Sequence, residues 1–105
     1  MEGRLVYITF GSKEEALAMC RHLVENQLAA CANILPQSIL SIYQWDGKTE
    51  ETEEIMALCK TTKEKESALY EHVQKHHSYD VAAIFSIDLS TVSPAYAKWV
   101  ESCLG

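Results

Sequence analysis

A chain of 105 residues and 11.8 kDa, 48% apolar and 23% charged, has room for one domain, residues 1–105, and not for a second. Nine Lys and Arg against fifteen Asp and Glu give a formal charge of −6. With no basic cluster, that balance speaks against nucleic acid and against an anionic membrane surface, and no apolar run approaches the ~20 residues of a membrane span.

The first ten residues lack the basic n-region, apolar stretch and small-residue cleavage site of a secretory signal, and Leu5–Phe10 (LVYITF) reads as a buried strand. Ser12 with Glu15 three positions on has the form of a capping box. Ala16, Cys20, Leu23, Val24 and Leu28 then fall at helical spacing, with Glu25-Asn26-Gln27 closing the helix. Ala29–Leu35 resumes extended structure. Unbroken strand from Ala30 to Trp45 would reach roughly 50 Å at ~3.3 Å per residue, too long for so small a domain, and Pro36 lacks the amide donor a central ladder needs. A bend is therefore expected near Pro36-Gln37.

The stretch Ser38–Ile55 reads as a long hairpin turning at Asp46-Gly47, a dipeptide suited to the positive φ values of a type I′ turn. Its first arm carries Ile39, Ile42, Tyr43 and Trp45; its second carries Glu50, Glu51, Glu53 and Glu54 before entering the core at Ile55–Cys59. A hairpin this long exceeds what the domain's own core can cover, which points to assembly. Thr61 or Thr62 caps a second helix, Lys63–His76, with Leu69, Val73 and His76 on one stripe expected against the sheet. Val81–Leu89 is the last core strand. Ser93-Pro94 starts a final helix whose inward stripe is Tyr96, Trp99, Val100 and Cys103. The order β-α-β-β-α-β plus a terminal helix predicts an α+β fold of the ferredoxin-like split βαβ kind. Cys20, Cys31, Cys59 and Cys103 are widely spaced within apolar runs, so free thiols in a reducing cytoplasm are expected.

Catalytic chemistry is hard to assemble. There is no G-x-S-x-G, no Gly-rich phosphate loop, and Gly11-Ser12-Lys13 is a poor phosphate cradle. An enzyme is not expected. His72 and His76, four apart, project from one helix face and would chelate a metal, although chance clustering explains His72 as readily. The four hairpin glutamates alternate faces on a strand and do not converge on a hard cation; they suit a solvated arm that resists edge pairing. Tyr43 and Trp45 share a face, as interface or core aromatics rather than a base-stacking platform.

Leu28-Ala29-Ala30-Cys31-Ala32-Asn33, Ser41-Ile42-Tyr43-Gln44-Trp45-Asp46-Gly47-Lys48, Lys60-Thr61 and His77-Ser78-Tyr79-Asp80-Val81 resemble, in order and spacing, the CutA divalent-cation tolerance family. The resemblance implies a ferredoxin-like protomer assembled as a tight homotrimer, with the hairpins packing across subunits, and a link to tolerance of divalent metals, copper in particular. It also implies kinship in architecture with PII-type trimers, which bind small ligands between subunits. The family's His-Pro-Tyr-Glu-Val-Pro segment stands here as His77-Ser78-Tyr79-Asp80-Val81-Ala82, without either proline. The cysteine some members carry near the end of the first strand is absent from Ile8-Thr9-Phe10, while His76 and His77 match the adjacent histidine pair. Without the soft thiolate, imidazole ligation of Cu(II) or Zn(II) is the metal chemistry left.

Three functions are thus in view. The first is a cytoplasmic trimer for divalent-cation tolerance, requiring no cofactor and binding copper-type ions weakly through His76 and His77. The second is a PII-like module whose inter-subunit cleft, lined by Tyr43, Trp45, Lys60, Tyr79 and Asp80, holds a small ligand, an anionic metabolite being the first class to screen. The third is a scaffold with no ligand of its own.

Overall fold

Eight elements follow one another in a computed structural model that describes residues 1–105. They are β1 (Gly3–Phe10), α1 (Lys13–Glu25), β2 (Cys31–Ile34), β3 (Ile39–Trp45), β4 (Lys48–Thr62), α2 (Lys63–His76), β5 (Ile84–Asp88) and α3 (Pro94–Leu104). The fold is α+β. Four strands form an antiparallel sheet in the order β2-β4-β1-β5, and β3 pairs with β4 beyond them. No helix is long and apolar enough to cross a membrane.

The 15-residue β4 does two jobs. Its second half, Ile55–Thr62, pairs with β1, while its first half, Lys48–Glu54, pairs with β3 in the hairpin. Asp46 and Gly47 have φ of 51° and 75°, both left-handed, as a two-residue I′ turn demands. The expected break falls at the proline: Ile34 pairs with Ala57 and Ile39 with Glu54, so the four residues Leu35–Ser38 lie opposite only Ile55 and Met56. Extra residues on one strand bend it, and the hairpin accordingly projects, giving extents of 45 × 25 × 25 Å.

Alternation along β1 separates the sheet's two faces. Val6, Ile8 and Phe10, with Ala57 and Cys59 of β4, are fully buried against Ala16, Met19, Cys20 and Leu23 of α1 and Leu69 and Val73 of α2. The Cys59 thiol is pushed well up by its hydrogen bond with Cys20 and by burial. All four cysteines are free thiols. The opposite face has no helix layer over its middle. Tyr7 stacks on Phe85 with ring centroids 4.6 Å apart, and Phe85 and Ile87 are half exposed, as are Leu40, Ile42, Tyr43 and Trp45 of β3.

Several expectations shift. Val24 faces outward and Met19 takes its place in the core. In α3 the buried residues are Val100 and Leu104, packed with Ala30, while Tyr96 and Trp99 stack on each other at the surface. Chain from Val81 to Ala83 lies outside β5. Ser12 Oγ accepts from the Glu15 amide at 3.1 Å, but the Glu15 carboxylate does not return to complete the box. Both of its oxygens are taken by Ser78, whose amide and hydroxyl each donate at 2.9 Å. Thr62 occupies the N-cap of α2 without a side-chain bond, and Thr61 instead donates to the Leu28 carbonyl at 2.8 Å.

Candidate functional site

Because the hairpin leans out from the sheet, a cleft of about 580 Å³ opens between them. Tyr7 and Thr9 line it from β1, Tyr43, Trp45, Thr52 and Glu54 from the hairpin, and Tyr79, Asp80 and Val81 from the loop after α2. Four of the five residues expected to line a cleft between subunits, Tyr43, Trp45, Tyr79 and Asp80, line this cleft within one chain. Lys60 does not: it sits on the sheet with Nζ 3.6 Å from Cys31 Sγ. The lining holds two carboxylates, Glu54 and Asp80, and no Lys or Arg, so it opposes an anionic ligand rather than attracting one. Burial, and then the Glu54 and Glu15 carboxylates, raise the Tyr79 hydroxyl above the ordinary tyrosine value. Thr9 is 2% exposed and its Oγ1 has no hydrogen-bond partner in the single chain. Gly11 lets the backbone approach Tyr79 closely: a Cβ there would lie 3.2 Å from the Tyr79 hydroxyl, so the ring would have to shift by a few tenths of an ångström. Tyr7 and Thr9 were not singled out from sequence, and Glu54 only as one of four solvated hairpin glutamates, because only the register of β1 against β4 puts them beside the aromatic arm.

The adjacent histidines do not form a pair. Helix α2 ends at His76, and His77 takes an extended backbone (φ −74°, ψ 144°) as its C-cap, which turns its side chain under the helix end. The His77 side chain is fully buried. Its Nε2 donates to the Thr9 carbonyl at 2.8 Å and its Nδ1 accepts from the Tyr79 amide at 3.0 Å, which fixes the Nε2–H tautomer. Its ring stacks on Phe10, centroids 5.1 Å apart. Both ring nitrogens are occupied, so a metal at either one would have to displace a buried hydrogen bond. The spacing along α2 put His76 against the sheet; the histidine buried there is instead His77, because the helix stops one residue before it, and His76 is exposed.

His76 belongs to a different group. On α2 its ring lies 4.4 Å from that of His72, and His72 stacks on His22 of α1 with centroids 3.9 Å apart and planes 4° from parallel. Sequence spacing contained the His72–His76 half of this cluster. His22, fifty positions away on another helix, gave no local signal. Burial, then His22, His76 and Lys75, lower the His72 pKa from its ordinary 6.5.

A comparison with known proteins assigns the chain to its family. The family model described as "CutA1 divalent ion tolerance protein" matches residues 4–103. A Xenopus laevis protein named "Protein CutA homolog" is 44% identical over 94 residues, covering 90% of this chain and 62% of its own length. The "Divalent-cation tolerance protein CutA" of Thermotoga maritima is 42% identical over 92% of this chain and 94% of its own. Among solved structures, the "Divalent cation tolerance protein (Cut A1)" of Thermus thermophilus superposes with a TM-score of 0.93 at 36% identity, covering 98% of this chain and 99% of its own. With the match spanning β1 to α3 and the hairpin included, the chain belongs to the CutA1 divalent ion tolerance protein family.

Proposed function

We infer that this chain serves divalent-cation tolerance as a cytoplasmic homotrimer without catalytic chemistry of its own, taking copper-type ions, Cu(II) or Zn(II), at histidines of α2. The observation that carries the reading is the uncovered sheet face. Phe85, Ile87, Leu40, Ile42 and Trp45 are between 49% and 64% exposed and lie along one face of the domain and both faces of a projecting arm. So many large apolar side chains left exposed on one small domain mark an interface, and a second copy supplies both the same apolar face and an arm to lay on it. The strand order β2-β4-β1-β5 with α1 and α2 on one side supports a ferredoxin-like protomer, and three copies is the number the resemblance of the hairpin motif implies. Four free thiols support a reducing compartment. For the metal, His76 is the member of the expected pair whose ring nitrogens are free.

Native mass spectrometry tests the assembly. The expected species is three chains, falling to one in the double variant Phe85→Glu/Ile87→Glu, since charges replacing half-buried apolar groups cannot be desolvated in an interface. A wild-type chain that stays single overturns the reading. Expression in a copper-sensitised host tests the physiological half: growth at elevated copper is expected to rise with the wild type, and an unchanged growth limit overturns it.

A further inference from the structure

We propose that His22, His72 and His76 form a three-imidazole site for a divalent transition-metal ion, bridging α1 and α2. This deepens the reading above, on which it rests for the class of ion. The three ring centroids are 3.9, 4.4 and 6.5 Å apart. An imidazole nitrogen binds Zn(II) at about 2.0–2.1 Å, which places ring centroids about 5 Å apart around a tetrahedral ion; the observed separations bracket that spacing. In the metal-free fold the rings stack, and no three His, Cys, Asp or Glu side chains converge on one point. The site therefore closes by rotation of side chains, not of backbone. His22 and His76 are exposed and His72 half buried, and surface rotamers of this kind turn on the picosecond-to-nanosecond scale.

Two features favour ligation over a fortuitous stack. No hydrogen bond or ion pair engages any ring nitrogen of the trio, so binding breaks nothing, in contrast to His77. The backbones are held: Leu23 and Val73, next to His22 and His72, are fully buried in one core cluster, so the bases of the three side chains are fixed before an ion arrives. Lys75 opposes a bound cation and sets a limit on affinity. The trio lies on the helix layer, opposite the apolar face given to subunit packing.

Isothermal titration of the metal-free assembled protein with Zn(II), with Cu(II) paramagnetic resonance alongside, tests this. The expected result is one ion per chain and nitrogen hyperfine structure from three imidazoles. His22→Gln, His72→Gln and His76→Gln are each expected to weaken binding by about tenfold, with helical circular dichroism unchanged. Binding that is unaffected by His22→Gln, or that shows two nitrogens, leaves only a helical i, i+4 pair and overturns the three-histidine site, as does the absence of binding. The titration is read independently of chain mass and host growth, so failure here and failure of the tolerance trimer are distinct results.

Discussion

Replacing His77 separates a structural role from a metal-binding one most sharply. His77→Ala removes two buried hydrogen bonds, to the Thr9 carbonyl and from the Tyr79 amide, and a ring stacked on Phe10. Leaving each backbone group unpaired costs about 1–3 kcal/mol where water cannot replace the lost partner, and the stack contributes about 0.5–1.5 kcal/mol. Some relaxation and water entry are expected in place of the ring, so the low end of these ranges applies, giving a loss of about 2.5 kcal/mol. That is a large share of the ~5–15 kcal/mol that holds a domain folded. With a urea slope of about 1–3 kcal/mol/M, the unfolding midpoint falls by ~1–3 M. The measurement needs equal protein concentrations, because the proposed assembly would add to apparent stability. His77→Phe keeps the stack and loses both hydrogen bonds, and its midpoint is expected between the two. His76→Ala, at an exposed position, is expected within about 0.5 kcal/mol of the wild type. The reasoning is refuted if His77→Ala unfolds where the wild type does, or if His76→Ala is the more damaging of the two.

Other consequences are open to measurement. Because the folded-state pKa of His72 is lowered below 6.5, the unfolded chain binds more protons. The stability His72 contributes is thus present above pH 6.5 and lost as pH falls through its folded value. Urea midpoints between about pH 7.5 and about pH 5.5 are expected to fall less steeply in His72→Gln, and equal slopes would count against the shift. Gly47→Ala puts a Cβ at φ 75° with no neighbour within 4 Å, so its cost is backbone strain alone, ~1 kcal/mol; amide exchange in the hairpin is expected to quicken about fivefold, and unchanged exchange contradicts the turn geometry. Thr9→Val removes a buried hydroxyl that has no partner within the chain, so the unfolding midpoint is expected to hold or rise. A loss above ~1 kcal/mol would show instead that the hydroxyl is bonded across subunits.

What the sequence by itself determined were features written in short-range patterns. Period-2 and period-3.6 hydrophobicity marked the strands and helices, Ser12 and Ser93 their caps, Asp46-Gly47 the turn and Pro36 the break, because each acts through backbone geometry within a few residues. The oversized hairpin was legible for the same reason. The candidate site was less so. Which of His76 and His77 turns inward depends on where α2 stops, and helix ends are set by capping partners such as Glu15 and Ser78 that lie far apart in the chain. The cleft needed the register of β4 against both β1 and β3, and the histidine cluster needed α1 laid beside α2. Such contacts join residues with no fixed spacing, and their geometry follows from how helices pack over one shared core. Tertiary structure alone thus decided that His77 holds the fold together and that His22 stands beside His72 and His76.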